Sequence, residues 1–175
     1  MTNNKSKAVF PGSFDLVTLG HIDILKRGLS LFDSVVIAVL HNPAKQNAMF
    51  TVDERMEILR EVTRDFRNVE VLTYNGLLAE FAQAQGISFI LRGLRSETDA
   101  AYELPMAQNN RLISEGQKLE TIMLVTDPAY ARLSSSLVRE IASLASKNFD
   151  LKTLKQLLPS VVIDKIEEKI RRELI

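Results

Sequence analysis

The chain contains no cysteine, which excludes disulfides and thiolate metal centres and is compatible with a reducing compartment. Tryptophan is also absent, and there are only two histidines, His21 and His41, so the usual zinc constellations cannot be assembled. No sign of charge dominates. The 22 Lys and Arg residues balance 22 Asp and Glu residues, so no overall field draws the protein to nucleic acid or to an anionic membrane, and any phosphate site must be local. No apolar run approaches bilayer length, and the opening Met1-Thr2-Asn3-Asn4-Lys5-Ser6 lacks a signal-peptide core. The expectation is a soluble cytoplasmic protein with neither nucleic acid nor membrane as partner. Internal repeats, low-complexity tracts and Gly/Ser linkers are missing too. A length of 175 residues suits one domain spanning 1–175, with residues 1–6 as a polar tail.

What the chain does have is an alternation of short apolar runs with helical periodicities, the pattern of βα units around a parallel sheet. The expected strands are Lys7–Phe10, Ser34–Leu40, Val69–Thr73, Ile87–Leu91 and Thr121–Thr126. After Gly20, the spacing of Ile22, Leu25, Leu29 and Phe32 predicts a helix with one face on the sheet. Thr51-Val52-Asp53-Glu54 has the form of a capping box and opens a helix to about Asp65. Leu77, Leu78, Phe81 and Ala82 mark a helix that Gly86 ends. A helix from about Thr98 to Ser114 contains Pro105, which should kink it. Ser134 or Ser135 caps the next helix, and Leu151–Leu158 and Val161–Leu174 read as two more. The apolar face of the last should cover the sheet or a neighbouring subunit. The fold class is therefore α/β: Rossmann-like, five parallel strands with helices on both faces and helices at the C-terminus.

The segment richest in chemistry is Phe10-Pro11-Gly12-Ser13-Phe14-Asp15-Leu16-Val17-Thr18-Leu19-Gly20-His21. A strand runs into a Pro-Gly turn, Ser13 adds a hydroxyl at the strand end, and Gly20-His21 opens a helix whose positive end attracts anions. A histidine there can donate a hydrogen bond to a phosphoryl oxygen as charge develops on it. The bland alternative is a solvated or core histidine at a helix start. His41, at the start of a loop, reads as structural or exposed. Ligands of open parallel sheets bind beyond the carboxyl ends of the strands. Ser13, Lys45, Leu77 and Leu78, Arg92 and the Tyr130–Ser136 segment follow the five expected strands in turn. They therefore converge on one cleft. Arg95 can pair with Glu97 or Asp99 at the surface. Glu103 and Asn110 are seven residues apart and share a helix face. No set of side chains has metal-ligand spacing.

Thr18-Leu19-Gly20-His21 resembles the (His/Thr)-x-Gly-His signature of the nucleotidylyltransferase superfamily. Lys45 with Met49-Phe50-Thr51, Arg92-Gly93-Leu94-Arg95, Tyr102-Glu103, Asn110-Arg111 and Ser134-Ser135-Ser136-Leu137-Val138-Arg139-Glu140 extend the likeness over residues 8 to 160, to the phosphopantetheine adenylyltransferase family. Threonine at position 18, where other branches carry a second histidine, is what points to that branch. The resemblance implies adenylyl transfer from ATP to 4′-phosphopantetheine, giving 3′-dephospho-CoA and diphosphate, by direct in-line displacement without a covalent intermediate. It implies His21, Lys45 and Arg92 as catalytic. The nucleotide falls to Ser13, Phe14, His21, Gly93, Leu94, Arg95, Glu103, Tyr130, Ala131, Arg132, Leu133, Ser134, Ser135 and Ser136. The acceptor falls to Ser13, Lys45, Leu78, Arg92 and Asn110. Mg²⁺ carried with ATP, feedback by coenzyme A and a homohexameric assembly are implied as well. The alternatives are another nucleotidylyltransferase, such as one using nicotinamide mononucleotide, and a nucleotide-binding module without turnover.

Overall fold

The computed structural model describes residues 6–40, 48–114, 118–144 and 151–173; Lys45 and His41 lie outside them. Strands β1 (Lys7–Gly12), β2 (Ser34–Leu40), β3 (Val69–Tyr74), β4 (Phe89–Leu94) and β5 (Glu120–Val125) form one parallel sheet. Their order is β3-β2-β1-β4-β5, so the chain winds outward from β1 to one edge and then crosses back to the other. Both faces of the central strands are covered, which is why β2 reads as a continuous apolar run with Val35, Val36, Ile37, Ala38 and Val39 all buried. Alternate residues enter two cores. Ala8, Phe10, Val35, Ile37 and Leu91 face α1 (Leu19–Leu29), α2 (Val52–Val62), α5 (Ser135–Leu144) and α6 (Ser160–Glu173). Val9, Val36, Ala38 and Ile90 face Ala79 and Ala82 of α3 (Leu78–Ala84).

The helix ends follow local chemistry. Thr51 accepts from the Glu54 N–H at 3.2 Å and Glu54 accepts from the Thr51 N–H at 2.7 Å, a complete capping box. Helix α3 ends in a Schellman motif. Gly86, at φ +63°, donates to Gln83 and Ile87 donates to Ala82, and the left-handed backbone there requires glycine. Ser134 caps α5, its Oγ accepting from the Leu137 N–H at 3.1 Å.

Two expectations are corrected, the extent of β4 and the helix type at Leu151–Gln156. Strand β4 runs from Phe89 to Leu94, three residues further than the apolar run suggested, so Arg92, Gly93 and Leu94 belong to the strand rather than the turn after it. Pairing with β5 through Leu94↔Val125 holds them there. Helix α4 (Glu97–Ile113) continues through Pro105 without a break. Pro105 and Ala101, whose carbonyl loses its donor, are both exposed, so water can take the donor's place. Residues Leu151–Gln156 form a 3₁₀ turn instead of an α-helix. Pro159 disfavours the α conformation at Leu158 and stops a longer helix from forming. Helix α6 packs on this chain's own core through Val162, Ile163 and Ile166, the first of the two placements expected for its apolar face.

Helix α1 approaches the sheet so closely that a Cβ on Gly28 would lie 2.4 Å from Leu91 Cδ2. Leu91 is completely buried and has little room to yield. Gly28→Val is expected to lower stability by about 2 kcal/mol in urea unfolding. Combined with Leu91→Ala, its cost should be smaller than the sum of the two single changes.

Candidate active site

Strand β1 pairs with β2 along its whole length but with β4 only through Ala8↔Phe89 and Val9↔Ile90. Beyond Val9 the two central strands part, at the point where strand order reverses. The opening is a cleft of about 280 Å³ lined by Pro11 to Phe14, Thr18, Gly20 and His21 from the β1 side. Arg92, Gly93, Arg95 and Glu103 line it from the β4 side, and Thr126 and Leu133 to Ser136 close it. A side chain on Gly93 would put its Cβ 3.0 Å from Ile24 Cγ1, so glycine keeps the floor of the cleft low.

His21 stands in the first turn of α1, held from two directions. Thr18 is the N-cap; its hydroxyl accepts from the His21 N–H, and its own N–H donates to His21 Nδ1 at 3.0 Å. This is a capping box with histidine in place of Glu or Gln. A backbone N–H can only donate, so Nδ1 is unprotonated and the ring proton resides on Nε2. The rings of Phe14 and Phe10, at 5.3 and 6.3 Å, pack against the imidazole. Loss of solvent, aided by the positive charge of Arg95, pushes the His21 pKa down to about 4. The imidazole is therefore neutral at pH 7, with one N–H, and His21 lines the cleft.

The two arginines are fixed through carbonyls and carboxylates. Arg92 Nε pairs with Glu103 Oε2 at 2.7 Å, and Nη1 donates to the Pro11 carbonyl at 2.9 Å, spanning the gap between β4 and β1. These bonds use two of its five N–H donors. Arg95 grips Asp99 with Nε and Nη2 at 2.8 and 3.0 Å and reaches the Leu133 carbonyl with Nη1 at 3.1 Å. The pairing with Asp99 anticipated for it is present, and Arg95's hydrogen bonds hold the Asp99 pKa below the usual carboxylate range. Arg95 lines the cleft as well.

The three serines have separate tasks. Ser134 caps α5, Ser135 Oγ donates to the Leu16 carbonyl at 2.7 Å, and Ser136 Oγ accepts from Arg139 Nη2 at 3.1 Å. The anion-attracting groups at this end are the first backbone N–H groups of α5, which have no intrahelical acceptor.

Of the residues expected here, Ser13, Phe14, His21, Arg92, Gly93, Arg95, Glu103, Leu133, Ser134, Ser135 and Ser136 share the cleft. Phe14 contributes a buried ring behind His21. Leu94, Tyr130, Ala131, Arg132, Leu78 and Asn110 are not among its lining. Leu78 begins α3 and packs against the second core; Asn110 is half-buried on α4; Tyr130 lies 3.4 Å from where a Gly20 Cβ would be. Lys45 falls outside the described residues. Sequence reasoning missed Thr18 as an orienting group, although Thr18-x-x-His21 has capping-box spacing; it missed Arg55 and Thr126, and it gave no role to Asp15 and Arg139, which stand in the quoted motifs. Arg55, almost fully buried, donates to the Ser13 carbonyl at 2.8 Å and supports that turn from below.

Because His21 titrates near 6.5 when unfolded and near 4 when folded, the unfolded chain binds the extra proton between those values. Stability should therefore decline as pH falls from 6.5 to 4, by about 3 kcal/mol from this residue. Urea titrations across that range should show the wild-type minus His21→Gln difference shrinking by this amount as the pH is lowered.

Residues 9–141 match the cytidylyltransferase-like family model. A phosphopantetheine adenylyltransferase of Caldanaerobacter subterraneus subsp. tengcongensis is 46% identical over 165 residues, covering 94% of this chain and 98% of the relative. Another, of Corynebacterium efficiens, is 42% identical over 167 residues, covering 95% and 99%. Among solved structures, Plasmodium falciparum nicotinic acid mononucleotide adenylyltransferase complexed with NaAD superposes with a TM-score of 0.64 at 13% identity, covering 94% of this chain and 96% of that one. That likeness speaks to the fold alone, whereas the relatives match nearly end to end. The chain belongs to the phosphopantetheine adenylyltransferase family, within the cytidylyltransferase-like nucleotidyltransferases.

Proposed function

We propose that this protein transfers the adenylyl group of ATP to 4′-phosphopantetheine, yielding 3′-dephospho-CoA and diphosphate. A phosphate oxygen of the acceptor attacks the α-phosphorus in line, the bond to the bridging oxygen of the β-phosphate breaks, and diphosphate leaves with the electron pair. The acceptor phosphate is already nucleophilic at neutral pH, so neither a general base nor a covalent intermediate is needed. Catalysis then depends on donors placed where charge gathers on the equatorial oxygens.

The observation that carries this reading is the Thr18 N–H to His21 Nδ1 bond. It places the proton on Nε2 and keeps the imidazole a neutral donor, able to serve a phosphoryl oxygen throughout the neutral range. Arg92, with donors to spare after binding Pro11 and Glu103, suits the acceptor phosphate; the α5 N-terminus suits the nucleotide's phosphates. Lys45 is assigned to the acceptor phosphate and the triphosphate, as a mobile point charge. Mg²⁺ enters as part of the substrate, bound by phosphate oxygens. Among the described residues no three acidic or histidine side chains converge on a metal position, and Glu103, the one carboxylate lining the cleft, is paired with Arg92. The ion supplies charge neutralisation on the polyphosphate.

Coenzyme A feedback and a homohexamer belong to the same proposal. In support of assembly, α4 buries no residue of its own yet exposes Tyr102, Leu104, Leu112 and Ile113, apolar side chains that a partner copy would cover. Among the described residues no helix is long and apolar enough to cross a membrane. With the lack of cysteine, this accords with a cytoplasmic location.

Diphosphate release from ATP should require 4′-phosphopantetheine and should not be supported by nicotinamide mononucleotide. His21→Ala should lower kcat by about a hundredfold, near 3 kcal/mol, with the protein still folded. Turnover with nicotinamide mononucleotide alone would reassign the acceptor, and tight ATP binding without any turnover would make the protein a binding module.

A further inference from the structure

Below the cleft, outside its lining, lies a carboxylate that the proposed chemistry does not use. Asp15 is 2% exposed, a rare position for an ionised side chain. Its Oδ2 accepts from the Met49 N–H and from Arg139 Nη1, and its Oδ1 accepts from the Phe50 N–H, each at 3.0 Å. The donors come from segments 34, 35 and 124 residues away in sequence. Asp15 itself lies two residues beyond Ser13, in the turn between β1 and α1.

One arm leads to the cleft, the other to the segment that follows Lys45 in the chain. Arg139 continues to Ser136 through Nη2, so the carboxylate is tied through one guanidinium to the first turn of α5. Ser135 adds a second tie to the same turn, at the Leu16 carbonyl. The other arm fixes Met49 and Phe50, which follow Lys45 by four and five residues and lead into the capping box at Thr51. We propose that Asp15 is a positioning residue that holds both the nucleotide-binding end of α5 and the Met49–Phe50 segment to the β1–α1 turn, and so sets the chain that follows Lys45 against the nucleotide end of the cleft.

The chemistry of the side chain fits that task. Two backbone N–H groups and a guanidinium can all donate to a carboxylate, whose two oxygens offer about four acceptor positions. An asparagine would turn its NH₂ toward one of these donors. The bonds form in a low-dielectric interior, where a hydrogen bond is stronger and a missing partner more costly than at the surface. Arg55 lies close enough for its charge to be influenced by Asp15, so removing Arg139 still leaves the carboxylate a cation nearby. Arg139→Met therefore cuts one arm and leaves the other.

The inference rests on ATP binding at α5 as proposed above, and the two are separable by experiment. ATP dissociation constants from calorimetry, steady-state constants for both substrates, and amide hydrogen exchange would be compared in wild type, Arg139→Met and Asp15→Asn. Arg139→Met should weaken ATP binding by about tenfold, leave the KM for 4′-phosphopantetheine within about twofold, and leave exchange at Met49 and Phe50 as in wild type. Asp15→Asn should weaken both substrates by about fivefold or more and speed exchange at Met49 and Phe50, while the amides of β2 stay protected. An ATP dissociation constant unchanged in Arg139→Met overturns the assignment. So does Asp15→Asn that loses activity only in proportion to its unfolded fraction. If wild type binds ATP but does not use 4′-phosphopantetheine, the acceptor assignment fails, and the calorimetry and exchange still decide the role of Asp15.

Discussion

Strand β1 keeps two neighbours only as far as Val9, and the separation from β4 that follows is the constraint on which the site depends. A sheet fully paired to its ends would leave no cleft. Here the unpaired edge is bridged by Arg92 to the Pro11 carbonyl, so the residue that spans the gap also charges it. The parting falls where the winding reverses, because β1 and β4 send their following segments to opposite sides of the sheet.

Around this opening, charge is supplied locally in a chain without net charge. Arg92 is balanced by Glu103 and Arg95 by Asp99, so each guanidinium is aimed before any ligand arrives. Fixed donors need little reorganisation when charge develops, which is the economical way to stabilise a phosphoryl transition state. His21 shares this property by another route. Its neighbour Thr18 selects the tautomer, while burial and Arg95 suppress protonation.

Much of this was legible in sequence because local rules govern it. Thr51-x-x-Glu54 announced a helix start, Gly86 a helix end, and the apolar runs announced strands and their order along the chain. The cleft followed from strand ends. The errors arose where distant contacts override local signals. Arg92 and Gly93 read as lying beyond the strand because a charge and a glycine ended the apolar run, yet ladder bonds to β5 extend the strand through them. The helix carrying Pro105 nonetheless runs on to Ile113, because at an exposed position water can serve the carbonyl left without a donor. Asp15 stands in the chemistry-rich turn, but nothing local gave it a role, since its partners are 34 to 124 residues away.

The sequence by itself determined the α/β class, the helix boundaries set by caps, the family, and the identity of most groups at the cleft. These depend on periodicity, on side chains bonding to the backbone within a few residues, and on motifs that are contiguous. Only the tertiary structure decided how strongly burial and Arg95 suppress protonation of His21, which carboxylate holds each arginine, and that a buried aspartate joins three remote segments. Those outcomes depend on distance and desolvation, and neither exists until the chain is folded.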